Sequence, residues 1–522
     1  MNPAHSLSVV QQTTLVLLPE LILLASAIVM VTASAFVARP RRFWCAMSAG
    51  AVLVALFALL FLGRMRTDLY AAVALNDDLS FYARLVLLVS AGIVLGLAHR
   101  EPSDARAGEF FGSLLMMFAG AMLVATANEM VFLFVGLELV SMPTYVILYL
   151  SRRDSTTQEA ATKYFFLSIF ASGLFLYGLT FLYGTTGLSN LKALGYLFER
   201  LPNLPHPQLA VLAVVFVMAG LCFRVAAVPL QFYAPDVYQG SPMVVAATLA
   251  WIPKVVGFLA IVRTLTAVLA VKGGNDPLVQ KAVMLSWIIA AATMVWGNFL
   301  ALAQEDLKRL MAYSSIAHAG YMMVGVTAAF ANDTHAAGTY YGSESIFFYL
   351  VTYGLMTLGL FGGFMALTFK NRPVETVDDL SGLGWTHPWT ALGLSVCLLS
   401  LAGIPPLAGF WGKFQLFGSL LAAGARANSG SFIALAVIGM LSAAAGAYYY
   451  LRIVVLMYFA KPKAAIELTG GWPIAAVVSV CVFLTVYFGI NSAPLSSRAH
   501  ASARAAMAHP QPEGASVAAV IN

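Results

Sequence analysis

Apolar and polar positions along the chain fall into long blocks. Runs of roughly 20 apolar residues, enough to cross about 30 Å of hydrocarbon as a helix, recur about fourteen times. They span 13–37, 43–63, 79–98, 111–127, 129–150, 160–184, 209–232, 241–270, 279–303, 308–329, 344–369, 388–420, 431–459 and 472–492. Lipid offers no partner to an open backbone group, and the runs lack the two-residue alternation of barrel strands, so each is expected to be helical. The pattern predicts an all-α polytopic membrane protein of about 14 transmembrane helices.

Two runs carry a break. The seventh contains Val228-Pro229-Leu230 and continues to Pro235, and the twelfth contains Gly403-Ile404-Pro405-Pro406 followed by Gly409. Proline in a membrane helix frees carbonyls that only protein, water or a cavity can satisfy. The breaks lie five helices apart, and an odd spacing reverses a repeat across the membrane. Helices 4 to 8 and 9 to 13 therefore read as two inverted five-helix repeats with discontinuous helices 7 and 12, an arrangement that places transport sites near the midplane. Membrane helices also tolerate proline generally, which keeps a purely structural reading open. The expected division is 1–110 for the first three helices, 111–270 and 279–459 for the two repeats, and 460–522 for the last helix and a polar tail.

Composition agrees. Of 522 residues, 60% are hydrophobic and 10% charged, against about 25% charged in a soluble globule. The net charge of +6 comes from Lys and Arg set singly or in pairs between apolar runs, a pattern of topology determinants and not a nucleic-acid patch. Arg39, Arg41, Arg42, Arg152, Arg153, Lys308, Arg309, Lys370, Arg372, Lys461 and Lys463 fall on one face of a fourteen-helix chain, which should be cytoplasmic. Arg64, Arg66, Lys192, Arg200 and Lys272 fall on the other, with both termini. The N-terminal stretch lacks a basic n-region and a cleavage site, so the first apolar run is expected to remain as a helix. Cys45, Cys222, Cys397 and Cys481 lie far apart and form neither a disulfide framework nor a metal motif. No phosphate-binding loop or nucleophile–base motif stands out.

A charge in mid-bilayer costs about 2.5–3.5 kcal/mol, so each needs a partner, a cavity or a purpose. Glu138 sits mid-run in FVGLELVSMP with no cation within one helical turn, which implies a distant partner. Arg224, just before the first break, is the natural candidate. Lys254 follows Pro253, His318 is central in YSSIAHAGYMM, and Lys413 follows the second break. An amine shut away from water binds its proton less tightly, so a buried lysine can load and release one, and a nearby carboxylate can switch that affinity. Histidine can shuttle between lysines, although a buried neutral imidazole bonded to a carbonyl is also common. Arginine stays protonated, which casts Arg224 as a fixed countercharge. Lys163 reads either as a site or as a residue snorkelling to the interface. Arg84, Arg263 and Arg452 are expected to snorkel from helix ends, Glu20 reads as a site or an end residue, and Asp236 with Glu305, Asp306, Lys308 and Arg309 is expected to fix local geometry.

Several stretches resemble the antiporter-like membrane subunits of respiratory complex I. FRVAAVPLQFYAPDVYQGSPMVV (223–245) with Pro253-Lys254 is similar to helices 7 and 8 of that family, GNFLALAQEDLKRLMAYSSIAHAGYMMVG (297–325) to helices 9 and 10, and LLSLAGIPPLAGFWGKF (398–414) to the broken helix 12. With residues 137–187, the resemblance runs from helix 4 to helix 13, and the APDVYQGSP loop and GKF ending point to the subunit N branch. It implies that Glu138, Lys254 and Lys413 are the family's glutamate and lysines of the proton half-channels, and that Lys163 matches a helix 6 lysine. The usual helix 7 lysine is Arg224 here, and Gln231 replaces a common histidine, which puts proton hopping through helix 7 in doubt.

The resemblance implies a proton-translocating subunit of NADH-quinone oxidoreductase. Its relay would be Lys254, His318 and Lys413, gated by Glu138. NADH, FMN, iron–sulfur clusters and quinone would be held by other subunits, with no cofactor and no redox site on this chain. Expected partners are other membrane-arm subunits, lipid and protons, in a bacterial inner membrane with periplasmic termini. The rival expectations are a subunit of a multisubunit cation/proton antiporter and a non-pumping scaffold.

Overall fold

The computed structural model describes residues 3–62, 67–151, 154–200, 207–269, 276–331, 342–370, 372–427, 429–463 and 466–507. Arg64, Arg66, Arg152, Arg153, Lys272 and the tail from 508 lie outside the described residues.

The chain folds into α1 (Pro3–Val16), α2 (Leu18–Ser34), α3 (Arg41–Leu62), α4 (Asp78–Ala98), α5 (Ala107–Thr126), α6 (Met130–Ser151), α7 (Ser155–Thr186), α8 (Leu191–Arg200), α9 (Pro207–Val225), α10 (Ala234–Gly240) and α11 (Met243–Leu269). There follow α12 (Pro277–Leu302), α13 (Leu307–Phe330), α14 (Gly342–Met365), α15 (Leu383–Thr386), α16 (Pro388–Ala402), α17 (Ala408–Ala427), α18 (Gly430–Phe459), α19 (Gly471–Ile490) and α20 (Ala493–Met507). Several helix starts are capped by side chains: Asp77, Asp154, Asp276 and Asp306 each accept a backbone N–H from the first turn of α4, α7, α12 and α13, satisfying donors a helix start leaves open.

Each predicted apolar run finds a helix or a broken pair, but the count of fourteen spans is not reproduced. Among the described residues, eleven helices are long and apolar enough to cross a membrane, or twelve if α1 and α2, bent by 63°, form one span. The shortfall has physical causes. α13 carries Ser314, Ser315, His318 and Tyr321 in its middle, and the run 388–420 is split into α16 and α17. The run 209–232 is also interrupted, ending as α9 at Val225 with helix resuming only at Ala234, but α9 still counts as a span. Elements not predicted include the short α8, α10 and α15, the C-terminal α20, and a small antiparallel sheet of β1 (Leu367–Phe369), β2 (Arg372–Pro373) and β3 (Ile466–Leu468), ordered β2-β1-β3.

Burial is arranged around α11, in which every residue after Met243 is buried, and around α14, which is buried from Gly342 to Phe364 except at Val351. The outer helices turn large apolar side chains outward, among them Phe57 and Phe61 on α3, Phe166 and Phe170 on α7 and Phe483 on α19. Apolar groups on the outside and polar groups along the inside are what lipid as solvent selects.

Candidate functional site

The two breaks place polar groups inside the bundle. At the first, α9 ends with Ala226 at φ 57°, a left-handed conformation that costs an alanine roughly 1–2 kcal/mol. The Ala227 N–H bonds Cys222 O at 2.8 Å and the Tyr233 hydroxyl bonds Phe223 O at 2.9 Å, so two of the carbonyls freed by the break are held. Arg224, in the last turn, points to α6: its Nη2 lies 2.6 Å from Glu138 Oε1 and its Nη1 donates to Leu137 O at 3.0 Å. Ser172 of α7 closes the triangle, donating to Glu138 Oε1 at 2.5 Å and accepting from Arg224 at 3.0 Å. The distant partner expected for Glu138 is thus Arg224, 86 residues away.

At the second break, Gly403 at φ 91° ends α16. Its N–H bonds Leu399 O and Ser400 O, and the Ile404 N–H also bonds Leu399 O. The last two carbonyls, Leu401 O and Ala402 O, accept from Lys413 Nζ at 2.8 and 2.9 Å. All four terminal carbonyls of α16 are therefore satisfied, half of them by the lysine. A cation at a helix C-terminus also meets the negative end of the helix dipole. The Lys413 ammonium lies 4.9 Å from the centroid of the Tyr321 ring, a cation–π contact.

Between the breaks, α13 carries polar side chains one turn apart. Ser315 accepts from Lys254 Nζ of α11 at 2.5 Å and from the Tyr353 hydroxyl of α14 at 2.9 Å. One turn on, His318 is bonded at Nδ1 to Tyr349 OH at 2.6 Å and at Nε2 to Tyr450 OH at 3.0 Å, and Tyr450 reaches back to Ser314. Another turn on stands Tyr321, under Lys413. Three-residue steps on a helix advance about 4.5 Å, so lysine, histidine and lysine lie along one line. Lys254, His318 and Lys413 are all buried. Each has partners that can donate as well as accept, or are neutral carbonyls, so none is locked by a carboxylate among the bonds described.

Lys163 is not brought into this line. Its side chain is 41% exposed and sits 2.7 Å from Glu159 and 2.8 Å from Asp236, with Arg309 2.8 Å from the other Asp236 oxygen. Asp236 and Arg309 thus fix local geometry, and Lys308 does so by bonding Gln239 O and Ser241 O at 2.5 and 2.8 Å.

Two arginines expected to snorkel are instead buried in ion pairs. Arg84 lies 3.4 Å from Glu20, both almost fully buried. Arg263 binds Asp77 with both nitrogens, at 2.7 and 2.9 Å. Burial alone would raise the pKa of Asp77, but the Arg263 charge and hydrogen bonds hold it well below the usual carboxylate range. Sequence reasoning also missed the tyrosines bonded to Ser315 and His318. Tyr349 and Tyr353 stand four apart on one face of α14 and Tyr448-Tyr449-Tyr450 form a run on α18, spacings that could have flagged them.

The family described as NADH:quinone oxidoreductase/Mrp antiporter, transmembrane region, matches residues 127–441. A protein named NADH-quinone oxidoreductase subunit N from Methylobacterium nodulans is 37% identical over 496 residues, 93% of this chain and 96% of its own. The chain belongs to the NADH-quinone oxidoreductase subunit N family. Among solved structures, it is similar to a chain of respiratory complex I from Thermus thermophilus with bound aureothin, at 30% identity and a TM-score of 0.72, covering 91% of this chain and 98% of that one. A chain of the Mrp complex from Dietzia shares the fold, with a TM-score of 0.78 at 18% identity over 98% of this chain and all of that one. Glu138, Lys163, Arg224, Lys254, His318 and Lys413 all fall within the region matched to the family.

Proposed function

We propose that this chain is a proton-translocating membrane-arm subunit of an NADH-quinone oxidoreductase. Electron transfer from NADH to quinone would be carried out by partner subunits that hold the flavin, iron–sulfur clusters and quinone, and this chain would contribute the proton path and no redox site. The reading is supported most by the line Lys254–Ser315, His318 and Lys413 along α13. Protons would move between its three stations by hydroxyl rotation of Tyr353, Tyr349 and Tyr450 and by intervening water, while the Glu138–Arg224 pair supplies a fixed field at the first break. Residues 111–270 and 279–459 are proposed as two inverted repeats with a break in each, placed between the leading helices and the C-terminal part. The proposed location is a bacterial inner membrane with the termini on the periplasmic face.

NADH-driven proton uptake in inverted vesicles, comparing wild type with Lys254→Ala and checking assembly on a native gel, tests the proposal. The expected outcome is at least a roughly tenfold loss of the proton transfer that runs through this subunit, since a positioned acid–base group contributes about 10²–10⁴-fold. Intact pumping in an assembled complex would reduce the chain to a scaffold. The shared fold with the Mrp complex keeps a cation/proton antiporter as the second reading, and sodium-dependent acidification of vesicles without NADH would favour it.

A further inference from the structure

A cavity of about 720 Å³ opens between α4, α11, α14, α19 and α20, within the ~300–1,000 Å³ range of ligand pockets. Its deep wall is apolar, built from Trp251 and Val255 of α11 and Phe347 and Val351 of α14. The Trp251 indole N–H is already bonded to Leu350 O at 3.0 Å, so the wall offers ordered water no partner. Polar side chains of the lining gather on the α4–α20 side. Arg498, exposed, donates to the Tyr82 hydroxyl and lies 5.2 Å above the Tyr82 ring, and Ser502 follows one turn along α20.

We propose that this cavity binds one anionic phospholipid, its acyl chains against Trp251, Val255, Phe347 and Val351 and its phosphate on Arg498 and Ser502. An interior packed to protein density does not leave a space of this size to vacuum, and an apolar recess with a cation at its open end matches an amphiphile carrying negative charge. A neutral isoprenoid would fill the recess equally well but would gain nothing from Arg498. Trp251 and Val255 flank Lys254 on α11, so the bound chains form the lipid-side wall behind that lysine and keep water from reaching it sideways. The inference requires that the chain lie in a membrane but does not depend on the proton path.

The test counts bound lipid. The intact complex, purified in mild detergent and washed free of loosely held lipid, is exposed to phosphatidylglycerol, phosphatidylcholine or ubiquinone, and the amounts retained by wild type and Arg498→Glu are compared by lipid extraction and native mass spectrometry. The expected result is one more phosphatidylglycerol per complex in wild type, with retention about tenfold weaker in Arg498→Glu and no such difference for phosphatidylcholine. A second variant, Ala499→Leu, narrows the recess without touching the charge and should weaken retention while leaving assembly intact. Equal retention of phosphatidylglycerol and phosphatidylcholine, displacement by ubiquinone, or no lipid sensitive to either variant would overturn the proposal. Because the readout is lipid and not pumping, it stands apart from whatever Lys254→Ala does to proton transfer.

Discussion

The two broken helices use the same backbone device and put different chemistry into it. At the α9 break a cation in the last turn is clamped by a carboxylate 2.6 Å away and a serine bridging both. At the α16–α17 break a cation caps the helix end, held by two main-chain carbonyls and a tyrosine ring. The first arrangement stabilises permanent charge, and its cation is an arginine, which does not give up a proton. The second uses neutral partners that can hold the ammonium and can also survive its neutralisation. One break thus supplies a fixed charge and the other a group able to exchange a proton, and the asymmetry follows from an arginine at the first break and a lysine at the second.

The comparison breaks most visibly at the fixed pair. Glu138→Gln leaves a buried guanidinium without its countercharge and should cost about 3–5 kcal/mol, seen as a lower midpoint of thermal unfolding or loss of assembly. Glu138→Gln combined with Arg224→Met should recover most of that stability, because removing both charges also removes their desolvation cost. If the double variant is as unstable as the single, the pair does not act as a unit.

A smaller effect separates buried from exposed charge. Lys163→Ala removes a half-exposed ion pair with Asp236 and Glu159, which should change stability by no more than about 1 kcal/mol and leave proton transfer per assembled complex near wild type. A large loss of pumping would bring Lys163 into the path that the geometry keeps it out of.

The smallest effect lies outside both regions, in the loop that carries the β-sheet. Burial raises the proton affinity of Asp379, but N–H groups of Thr376 and Glu375 and the Arg372 guanidinium outweigh it and lower its pKa. An acid depressed on folding adds stability above its unfolded value of about 3.9 and loses it as pH falls through the folded one. Amide exchange in β1 and β2 should therefore quicken as pH drops below about 4, after correction for intrinsic rates, and Asp379→Asn should flatten that dependence.

Much of the fold was legible because lipid imposes one length and one secondary structure, and because Pro229, Pro405 and Pro406 announce the breaks. The buried charges Glu138, Lys254 and Lys413 were legible for the same reason: each interrupts an apolar run. Their hydrogen-bond partners were not. Ser172 and Ser315 stand out in no membrane helix until α7 and α13 meet their neighbours, and the spacing of Tyr349 and Tyr450 does not say what they bond. Arg84 and Arg263 were misread for a related reason. Each stands near a helix end, where snorkelling is the ordinary solution, and their partners Glu20 and Asp77 are 64 and 186 residues away. α13 was legible as the run 308–329, and only its polar middle keeps it out of the eleven spans counted among the described residues.

We propose that Lys413 works by exchanging its proton while Arg224 works by keeping its own. Lys413→Arg keeps the positive charge and its carbonyl partners within reach but removes the ability to release a proton. The measurement is NADH-driven proton uptake per NADH oxidised in inverted vesicles of wild type, Lys413→Ala and Lys413→Arg, each with assembly verified. Both variants should lose the same share of proton transfer. Full pumping by Lys413→Arg would show that only the charge matters there, and that the two breaks do the same job.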